Sequence, residues 1–460
     1  MVSFNINEHK YKKVHFIGIG GISMSGLAEI LHSHGYIVTG SDCKASEITE
    51  HLKQQGITLY NYHSSKWVEN VDLVVYTDAI SLDNEELKGA IHRKIDIIDR
   101  ASFLGQLMKS YQISIAVSGT HGKTTTTSMI SSAIKDHELD PTILLGGNLD
   151  DIHGNVRLGE NHLLLTEACE YKGNILKFYP SIAIILNMDE DHLDYFDNMD
   201  HIRRTFEGYV KNVNKDGTII INIDDEHVKT LVHRAECNVI TFSLDQKADY
   251  EGRNIKYDEY GIPTYDLYYK DTFISSVTLK VMGRHNVYNS LAAIVACHSI
   301  GMDFQEAIEG VLKYTGVHRR LEKKGVKEGV LVIDDYAHHP TEIESSIHAI
   351  RQGAKGNIIC VFQPHTFTRT RLLLERFSTS FHEADSVIIT DIYAAREKDY
   401  GNIHSKTLVD AINEKGDLAV YMEGFEEIVN HLNSLLKPGD ILVTMGAGDV
   451  YRVGDLYLSS

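Results

Sequence analysis

The stretch GTHGKT, from Gly119 to Thr124, follows an apolar run and precedes a threonine-rich helix start. Glycines let the backbone turn so that successive N–H groups point at phosphate oxygens, and the helix N-terminus adds partial positive charge. Lys123 contributes a full charge, and the Thr124 hydroxyl is of the kind that binds magnesium. The spacing is unusual, because only two residues separate Gly119 from Gly122. We predict a site for nucleotide phosphates; the alternative is a tight strand–helix turn capped by Thr120.

A second glycine-rich loop, GIGGISMSG, covers residues 18–26 after the first predicted strand. Gly18 and Gly20 fit a dinucleotide-binding fingerprint, but its third glycine would fall at Ser23. Asp42 follows the second predicted strand, where an acidic residue could meet ribose hydroxyls. The loop could hold a diphosphate without any nicotinamide. The alternative is that its glycines only allow close packing of strand and helix.

Two acidic segments each follow an apolar strand. The first, TEACEYKG, contains Glu170, and the second, NMDEDHLDYF, contains His192. The carboxyl ends of neighbouring parallel strands meet where α/β proteins bind ligands. We therefore expect Thr124, Glu170 and His192 to meet around magnesium. Magnesium prefers oxygen ligands, so imidazole is the less usual member of this set. Taken singly, each residue could instead be a solvated loop residue.

The densest polar run after an apolar strand is DDYAHHPTE, at residues 334–342. Its Pro340 is well placed for the first turn of a helix. His338 or His339 could act as a base or a ligand. The alternative is a helix cap with exposed imidazoles.

A further strand is followed by FQPHTFTRTR, which contains Arg369 and Arg371. A guanidinium at this edge of a sheet could hold a carboxylate through paired hydrogen bonds. The alternative is two exposed arginines on a helix.

The elements that carry these loops alternate between short apolar runs and amphipathic stretches, which is typical of parallel α/β architecture. Strands are predicted over 14–20, 36–42, 71–76, 95–98, 113–118, 162–168, 182–188, 218–223, 357–362, 386–392 and 441–449, and another opens the segment 329–343. Helices are predicted over 22–35 and within 283–301, and 238–282 is expected to be an antiparallel extension. Boundaries near 109–112 and 315–328 divide the chain into three domains, 1–110, 111–317 and 318–460. These are predicted to be Rossmann-like, P-loop ATPase-type and again Rossmann-like.

The composition of the 460 residues, with 43% hydrophobic and 24% charged, is that of a globular protein. A net charge of −19 disfavours nucleic acid and anionic membranes as partners. Five cysteines without CxxC spacing indicate neither a disulfide framework nor a zinc site. The N-terminus does not resemble a secretory signal, and no apolar run is long enough to span a bilayer. We expect a soluble cytoplasmic protein, whose oligomeric state the sequence does not predict.

Together these segments resemble the Mur ligase family over nearly the whole chain. The most specific matches are GTHGKT, GRHNVYN and DDYAHHPTE, and the others are GIGGISMSG, TEACEY, NMDEDHLDYF, TGVHRR, FQPHTFTRTR and MGAGD. The resemblance is greatest to the members that join L-alanine to the lactyl carboxylate of UDP-N-acetylmuramic acid in peptidoglycan synthesis. It implies a three-domain ATP-dependent ligase that uses magnesium or manganese and forms an acyl phosphate.

The resemblance also implies roles for individual residues. Catalytic roles fall on Lys123, His338 and Arg369. ATP contacts fall on Gly119, Thr120, His121, Gly122, Lys123, Thr124, Thr125, His285, Asn286, Asn289, Arg319, Arg320 and Asp335. UDP-sugar contacts fall on Gly18, Gly20, Gly21, Ser23, Asp42 and His63. Amino-acid contacts fall on Tyr336, His338 and Arg369, and metal ligands are Thr124, Glu170 and His192. Many relatives carry a second arginine where this chain has Thr366, so we expect the amino-acid clamp to depend more on Arg369.

Three other functions compete with this interpretation. A sister ligase would add a preformed tripeptide to the same sugar during wall recycling. A nicotinamide-dependent oxidoreductase would use the first glycine loop, but Ser23 and the second glycine loop count against it. A non-catalytic nucleotide-binding regulator would not need both the HHPTE segment and the arginine-bearing QPH segment.

Overall fold

The computed structural model describes residues 2–149, 152, 154–160, 162–395, 397–416 and 418–460. Contacts divide the chain into two compact units. The first contains segments 1–188, 203–241 and 292–310, and the second contains segments 189–202, 242–291 and 311–460. The chain crosses between them within four elements, which are the helices Met199–Val210, Arg284–Ser299 and Phe304–Val311 and the strand Asn238–Ser243.

The first unit opens with a parallel five-stranded sheet. Its strands, in spatial order, are Thr58–Tyr60, Ile37–Ser41, Lys13–Ile17, Leu73–Tyr76 and Asp96–Asp99. Its helices are Ile22–Ser33, Glu47–Gln54, Glu85–Arg93 and Arg100–Met108, with a short 3-10 helix at Ser65–Val68. Phe16, Leu27 and Phe103 are buried in its core. The chain order places the glycine loop directly after the central strand of this sheet.

The rest of the first unit is built on a second sheet. Its strands there, in spatial order, are Thr218–Asn222, Ile182–Ile185, Ile113–Ser118, Leu163–Ala168, Thr142–Leu149 and Gly154–Arg157. All pairs are parallel except the last, where Gly154–Arg157 is antiparallel to its neighbour. The helices are Lys123–Ile134 and Glu226–Lys229, with 3-10 helices at Tyr171–Lys177 and Thr230–Arg234.

The second unit contains the antiparallel strands Tyr250–Tyr257, Pro263–Tyr269 and Thr272–Thr278, which confirms the antiparallel extension predicted within 238–282. Its main sheet has six strands, in the order Glu322–Lys327, Val330–Asp335, Ile441–Met445, Ile358–Phe362, Ser386–Ile389 and Ala419–Tyr421. Only the first of these is antiparallel. Helices cover both faces, and they are Pro340–Arg351, Phe367–Leu372, Leu374–Thr379, Ser405–Asn413, Phe425–Leu435 and Tyr451–Ser459.

The predicted strands are all present, although most are shorter than predicted because the polar residues after each strand belong to loops. The strand predicted over 14–20 ends at Ile17, and the helix predicted over 22–35 ends at Ser33. Strands that the sequence did not predict include Thr142–Leu149, Gly154–Arg157 and Glu322–Lys327. Among the described residues, no helix combines the length and the apolar character needed to cross a membrane.

Candidate active site

The loop Gly119–Thr124 is held in place by the next strand of its sheet. Strand Ile113–Ser118 lies between Leu163–Ala168 and Ile182–Ile185, so the three carboxyl ends are adjacent, as the sequence predicted. The backbone N–H of Thr120 donates to the Asn187 carbonyl oxygen (3.1 Å). The Asn187 side chain accepts from the His121 N–H (2.8 Å) and donates to the His121 carbonyl (3.0 Å). Asn187 was not among the predicted site residues, although it is the first polar residue after an apolar strand.

The loop backbone adopts the conformation that its glycines permit. Gly119 and Gly122 have φ values of +133° and +84°, which side chains with a Cβ rarely adopt. Helix Lys123–Ile134 begins after Gly122, and no side-chain hydrogen bond caps it. The cap residue of this helix is thus Gly122 and not Thr120. An uncapped helix start following a glycine turn is a suitable place for an anion.

Lys123 lies at the start of this helix and pairs with a buried carboxylate. Its ammonium donates to the carbonyl oxygens of Gly119 (2.5 Å) and Thr120 (3.0 Å) and to Glu170 Oε2 (3.3 Å). Burial lowers the pKa of Lys123, but Glu170 and other nearby acidic groups outweigh it, so the pKa lies above its ordinary value. Lys123 is therefore a permanent cation. Glu170, only 2% exposed, needs such a partner because an unpaired buried charge is costly.

Glu170 and Thr124 offer the hard oxygen atoms that magnesium prefers. Glu170 follows strand Leu163–Ala168, and Thr124, which is partly exposed, lies in the first turn of the neighbouring helix. The chemistry of these donors fits a magnesium site beside nucleotide phosphates. His192 belongs to the second unit, and its backbone has a positive φ of +53°.

The first glycine loop is tied to the end of the neighbouring strand. The N–H groups of Gly18 and Ile19 donate to the Ser41 carbonyl (2.8 and 3.1 Å). The Gly20 N–H donates to Asp42 Oδ2 (2.9 Å), and a Cβ at Gly20 would lie 2.8 Å from that oxygen. Asp42 thus shapes the loop through the same carboxylate that was predicted to meet a ribose.

A helix start and a cavity adjoin this loop. Helix Ile22–Ser33 begins after Gly21, again with no side-chain cap. The Ser23 hydroxyl accepts from Arg100 (3.3 Å). The residue that stands in place of the third fingerprint glycine thus makes a hydrogen bond within the protein. A cavity of about 260 Å³ is lined by Ile19, Asp42, Lys44, Lys53, Tyr60 and Asn61, among others. His63, also assigned to the sugar nucleotide, lies near Ser41 and makes a hydrogen bond of 2.9 Å with Glu86.

In the second unit, Arg369 is neither exposed nor unpaired. Its guanidinium donates twice to Asp191 Oδ1 (2.8 and 3.2 Å) and once to His365 Nδ1 (3.1 Å). Burial alone would raise the pKa of the Asp191 carboxyl, but the surrounding His192 and Arg369 hold it well below its ordinary range. Burial and Arg369 lower the pKa of His365 to about 4. Arg371, in contrast, is exposed, so the exposed-arginine alternative holds for it alone.

Thr366, where the family resemblance led us to expect an arginine, has a structural role. Its hydroxyl accepts from the Arg369 N–H (3.3 Å) and caps helix Phe367–Leu372. Its own backbone is in an unusual conformation, with φ of +66°. Thr366 thus fixes the turn that precedes Arg369.

The two histidines of HHPTE have different roles. His339 caps helix Pro340–Arg351, accepting from the Thr341 N–H (3.3 Å), and its Nε2 donates to the Glu190 carbonyl (3.0 Å). The helix-cap alternative is therefore right for His339, although this ring is buried and not exposed. Burial lowers the pKa of His338 to about 4. His338 is therefore neutral at physiological pH.

Residues assigned to ribose and phosphates lie around the end of strand Val330–Asp335. Arg319 donates to Asp334 (3.0 Å) and to the carbonyls of Gly446 (2.6 Å) and Gly448 (2.9 Å), so it braces these loops. Burial raises the pKa of the Asp335 carboxyl to about 6. The guanidinium carbons of Arg319 and Arg320 each lie 5.1 Å from the centre of the Tyr336 ring. Arg319 thus combines this ring contact with three side-chain hydrogen bonds within the protein.

The residues assigned to adenine lie at the start of helix Arg284–Ser299. Asn286 donates to the Met282 carbonyl (2.7 Å) and accepts from Asn289 (3.0 Å). Burial, and to a lesser extent Arg320, lowers the pKa of His285 to about 4. The two asparagines are thus linked to each other, and the His285 ring is neutral at pH 7.

The parallel sheets and the uncapped helix after Gly122 are typical of nucleotide-using α/β proteins. Three family models match the chain, and they are the Mur ligase family catalytic domain over residues 13–112, the Mur ligase middle domain over 117–297 and the Mur ligase glutamate ligase domain over 319–448. The chain belongs to the Mur ligase family and has the three-domain α/β architecture that the sequence predicted.

Within the family, curated relatives align over the full length. The UDP-N-acetylmuramate–L-alanine ligase of Acetivibrio thermocellus is 48% identical, with 98% of this chain and 97% of the relative aligned. The protein of that name from Clostridium acetobutylicum is also 48% identical, with 100% of both chains aligned. The solved UDP-N-acetylmuramate–alanine ligase of Thermotoga maritima is 29% identical, with a TM-score of 0.80 and 97% and 98% coverage. A murein peptide ligase of Psychrobacter arcticus is 23% identical with a TM-score of 0.71, a likeness of fold alone.

Proposed function

We propose that this protein joins L-alanine to the lactyl carboxylate of UDP-N-acetylmuramic acid at the expense of ATP, in peptidoglycan biosynthesis. The observation that carries the proposal is the 48% identity, over the whole chain, to ligases of that name. The solved alanine ligase of Thermotoga maritima, aligned over 97% of this chain, also supports it. Because ATP and sugar nucleotides are cytoplasmic metabolites, we place the reaction in the cytoplasm.

The first half-reaction makes the carboxylate reactive. A lactyl oxygen attacks the γ-phosphorus of ATP, the bond to the β-phosphate oxygen breaks, and ADP leaves an acyl phosphate behind. Both reactants are anions, so positive charge must offset their repulsion. The permanent charge of Lys123 and the N–H groups of the uncapped helix start supply it. We propose that Thr124, Glu170 and His192 hold Mg²⁺ or Mn²⁺, which neutralises phosphate charge when bound.

The second half-reaction forms the amide. The amine of alanine attacks the acyl carbon, the bond to phosphate oxygen breaks, and inorganic phosphate leaves. The amine must lose a proton, and neutral His338 is the proposed acceptor. Arg369 is proposed to bind the alanine carboxylate, which would then share the guanidinium with Asp191. Tyr336 completes the proposed amino-acid site.

We also propose a division of labour along the chain. Residues 1–110 would hold the UDP-sugar, 111–317 the ATP and 318–460 the amino acid. Each of these ranges contains one of the loop clusters described above, placed at the carboxyl ends of parallel strands.

Release of ADP tests this function. Purified protein with ATP and magnesium should release ADP continuously only when UDP-N-acetylmuramic acid and L-alanine are both present. Release that needs neither substrate, or that follows addition of a nicotinamide cofactor, would refute it.

A further inference from the structure

A buried carboxylate, Glu86, lies in the first domain outside the residues that the sequence singled out. It is in the first turn of helix Glu85–Arg93, whose cap Asn84 accepts from its backbone N–H (2.8 Å). Its side chain is 0% exposed. Burying a carboxylate is costly unless its oxygens accept several hydrogen bonds. The hydrogen-bond donors around Glu86 therefore indicate the role of this buried carboxylate.

Glu86 accepts hydrogen bonds at both oxygens. Oε2 lies 2.7 Å from His15 Nε2 and 2.9 Å from the Ser41 hydroxyl. Oε1 lies 2.9 Å from His63 Nδ1 and 3.3 Å from the Ser64 N–H. Burial alone would raise the pKa of Glu86, but its bonds to His15 and His63 hold the pKa below its ordinary value. The carboxylate is thus ionised at neutral pH and can only accept, so every partner must donate.

This requirement fixes the proton on each imidazole. His15 uses both nitrogens within the protein, because its Nδ1 lies 2.8 Å from the Thr39 hydroxyl and the ring is fully buried. His63 donates from Nδ1, and its side chain is 26% exposed. Within the described part of the chain, the recorded partners of the His63 ring are all at Nδ1. Nε2 is therefore the ring atom left to meet a ligand.

The same cluster is joined to the first glycine loop. The Ser41 hydroxyl donates to Glu86, and the Ser41 carbonyl accepts from the N–H groups of Gly18 and Ile19. One residue thus fixes both the position of Glu86 and the path of the loop. His63 therefore stands beside the loop that we assign to the sugar nucleotide.

We propose that Glu86 is a positioning residue of the sugar-nucleotide site. Its carboxylate holds His63 as the Nδ1–H tautomer, so that Nε2 accepts a hydrogen bond from a hydroxyl or N–H group of the sugar nucleotide. The proposal rests on the proposed function, because that function makes the ligand UDP-N-acetylmuramic acid. Glu86 acts only through His63 and does not touch the ligand.

A double-mutant cycle with Glu86→Gln and His63→Asn tests the coupling. The glutamine variant should fold, because its amide oxygen can keep the bonds from His15 and Ser41. Its NH2 group then faces His63, whose Nδ1 must accept instead of donate. Losing one hydrogen bond weakens binding by about three- to tenfold. Calorimetry should show a loss of that size for each single variant with UDP-N-acetylmuramic acid. The double variant should bind no more weakly than His63→Asn alone, because Glu86 has nothing left to position.

Glu29→Gln is the matched control. Glu29 is also a buried carboxylate of this domain, 6% exposed and bonded to Gln55, and its change should leave ligand binding unaltered. Nitrogen NMR of the ligand-free protein, with its histidines isotopically labelled, gives a second readout, which is the tautomer of the His63 ring. The His63 ring should be the Nδ1–H tautomer in the wild-type protein and lose that preference in Glu86→Gln.

The outcomes separate the two proposals. Additive losses in the double variant, or a His63 tautomer that Glu86→Gln leaves unchanged, would overturn the role of Glu86 while the function stands. If the wild-type protein does not bind UDP-N-acetylmuramic acid, the proposed function fails and this role fails with it.

Discussion

We assign the phosphoryl-transfer step of the proposed reaction above all to Lys123. Its charge is held by Glu170 and by two loop carbonyls, so it is fixed where nucleotide phosphates would approach. A preorganised charge of this kind stabilises a transition state without reorganisation during the reaction. The same pairing also makes Glu170 dependent on Lys123, since a buried carboxylate needs a partner.

We predict that Lys123→Ala lowers the turnover number by about a hundredfold or more, the order expected for losing one such group. ADP release under saturating substrates measures it. Lys135→Ala, at the other end of the same helix, is the control and should remain active. Because Glu170 loses its partner, thermal melting should show a lower midpoint for Lys123→Ala. Near-normal ADP release from this variant would contradict the assignment.

Arg369 is assigned to the second half-reaction. A charge-assisted hydrogen bond contributes about 1.5–3 kcal/mol, so Arg369→Ala should weaken apparent alanine binding by roughly one to two orders of magnitude. Acyl phosphate formation does not involve alanine and should survive. Hydroxylamine trapping in the absence of alanine follows it.

Arg371→Ala provides the matched control, because Arg371 lies on the same short helix but is exposed. It should leave both half-reactions intact. If Arg369→Ala abolishes trapping as completely as ligation, Arg369 serves ATP or the phosphoryl group instead. An unchanged dependence on alanine would place the carboxylate clamp elsewhere.

Among the secondary-structure elements, the glycine turn before helix Lys123–Ile134 decides whether the phosphate site forms. Gly119 has a φ of +133°, and a Cβ there would lie 3.1 Å from the Asn187 nitrogen. We predict that Gly119→Ala costs about 1–3 kcal/mol in strain and also weakens ATP binding, because the loop must move. Fluorescent nucleotide titration and thermal melting measure the two effects.

Gly35→Ala separates backbone strain from loop geometry. Gly35 also has a positive φ, of +80°, but a Cβ added there would have no atom of the described residues within 4 Å. This control should lose stability and keep its affinity for ATP. Equal losses of nucleotide affinity in the two variants would show that the effect of Gly119 is only one of stability.

The sequence predicts those secondary-structure elements that leave a local pattern of apolar residues and glycines. Apolar runs followed by glycine, such as those ending before Gly18 and Gly119, are correctly predicted as strand–turn–helix units. The edge strand Glu322–Lys327, EKKGVK, is missed because an edge strand with one partner carries no apolar run. Asp191 is missed as a partner of Arg369, and Glu86 as a partner of His63, for another reason. Asp191 and Arg369 are 178 residues apart in sequence and His63 and Glu86 are 23 apart, so no local pattern indicates these pairs.

The described residues form three sheets, with a loop cluster at the carboxyl ends of the parallel strands of each. The first has the Glu86–His63 pair and a glycine loop, the second the Lys123–Glu170 pair, and the third Arg369 with neutral His338. These clusters match the three substrates of the proposed reaction, which are a sugar nucleotide, ATP and an amino acid. The proposed function depends above all on the third substrate being alanine.

A competition experiment tests the identity of this third substrate. The protein is incubated with UDP-N-acetylmuramic acid, ATP and magnesium, together with equimolar L-alanine and the preformed wall tripeptide, and the products are weighed by mass spectrometry. We predict one dominant product, the sugar nucleotide enlarged by a single alanine residue, with one ADP released for each amide formed. A product enlarged by the tripeptide, or no ligation in the presence of both donors, would contradict the proposed function.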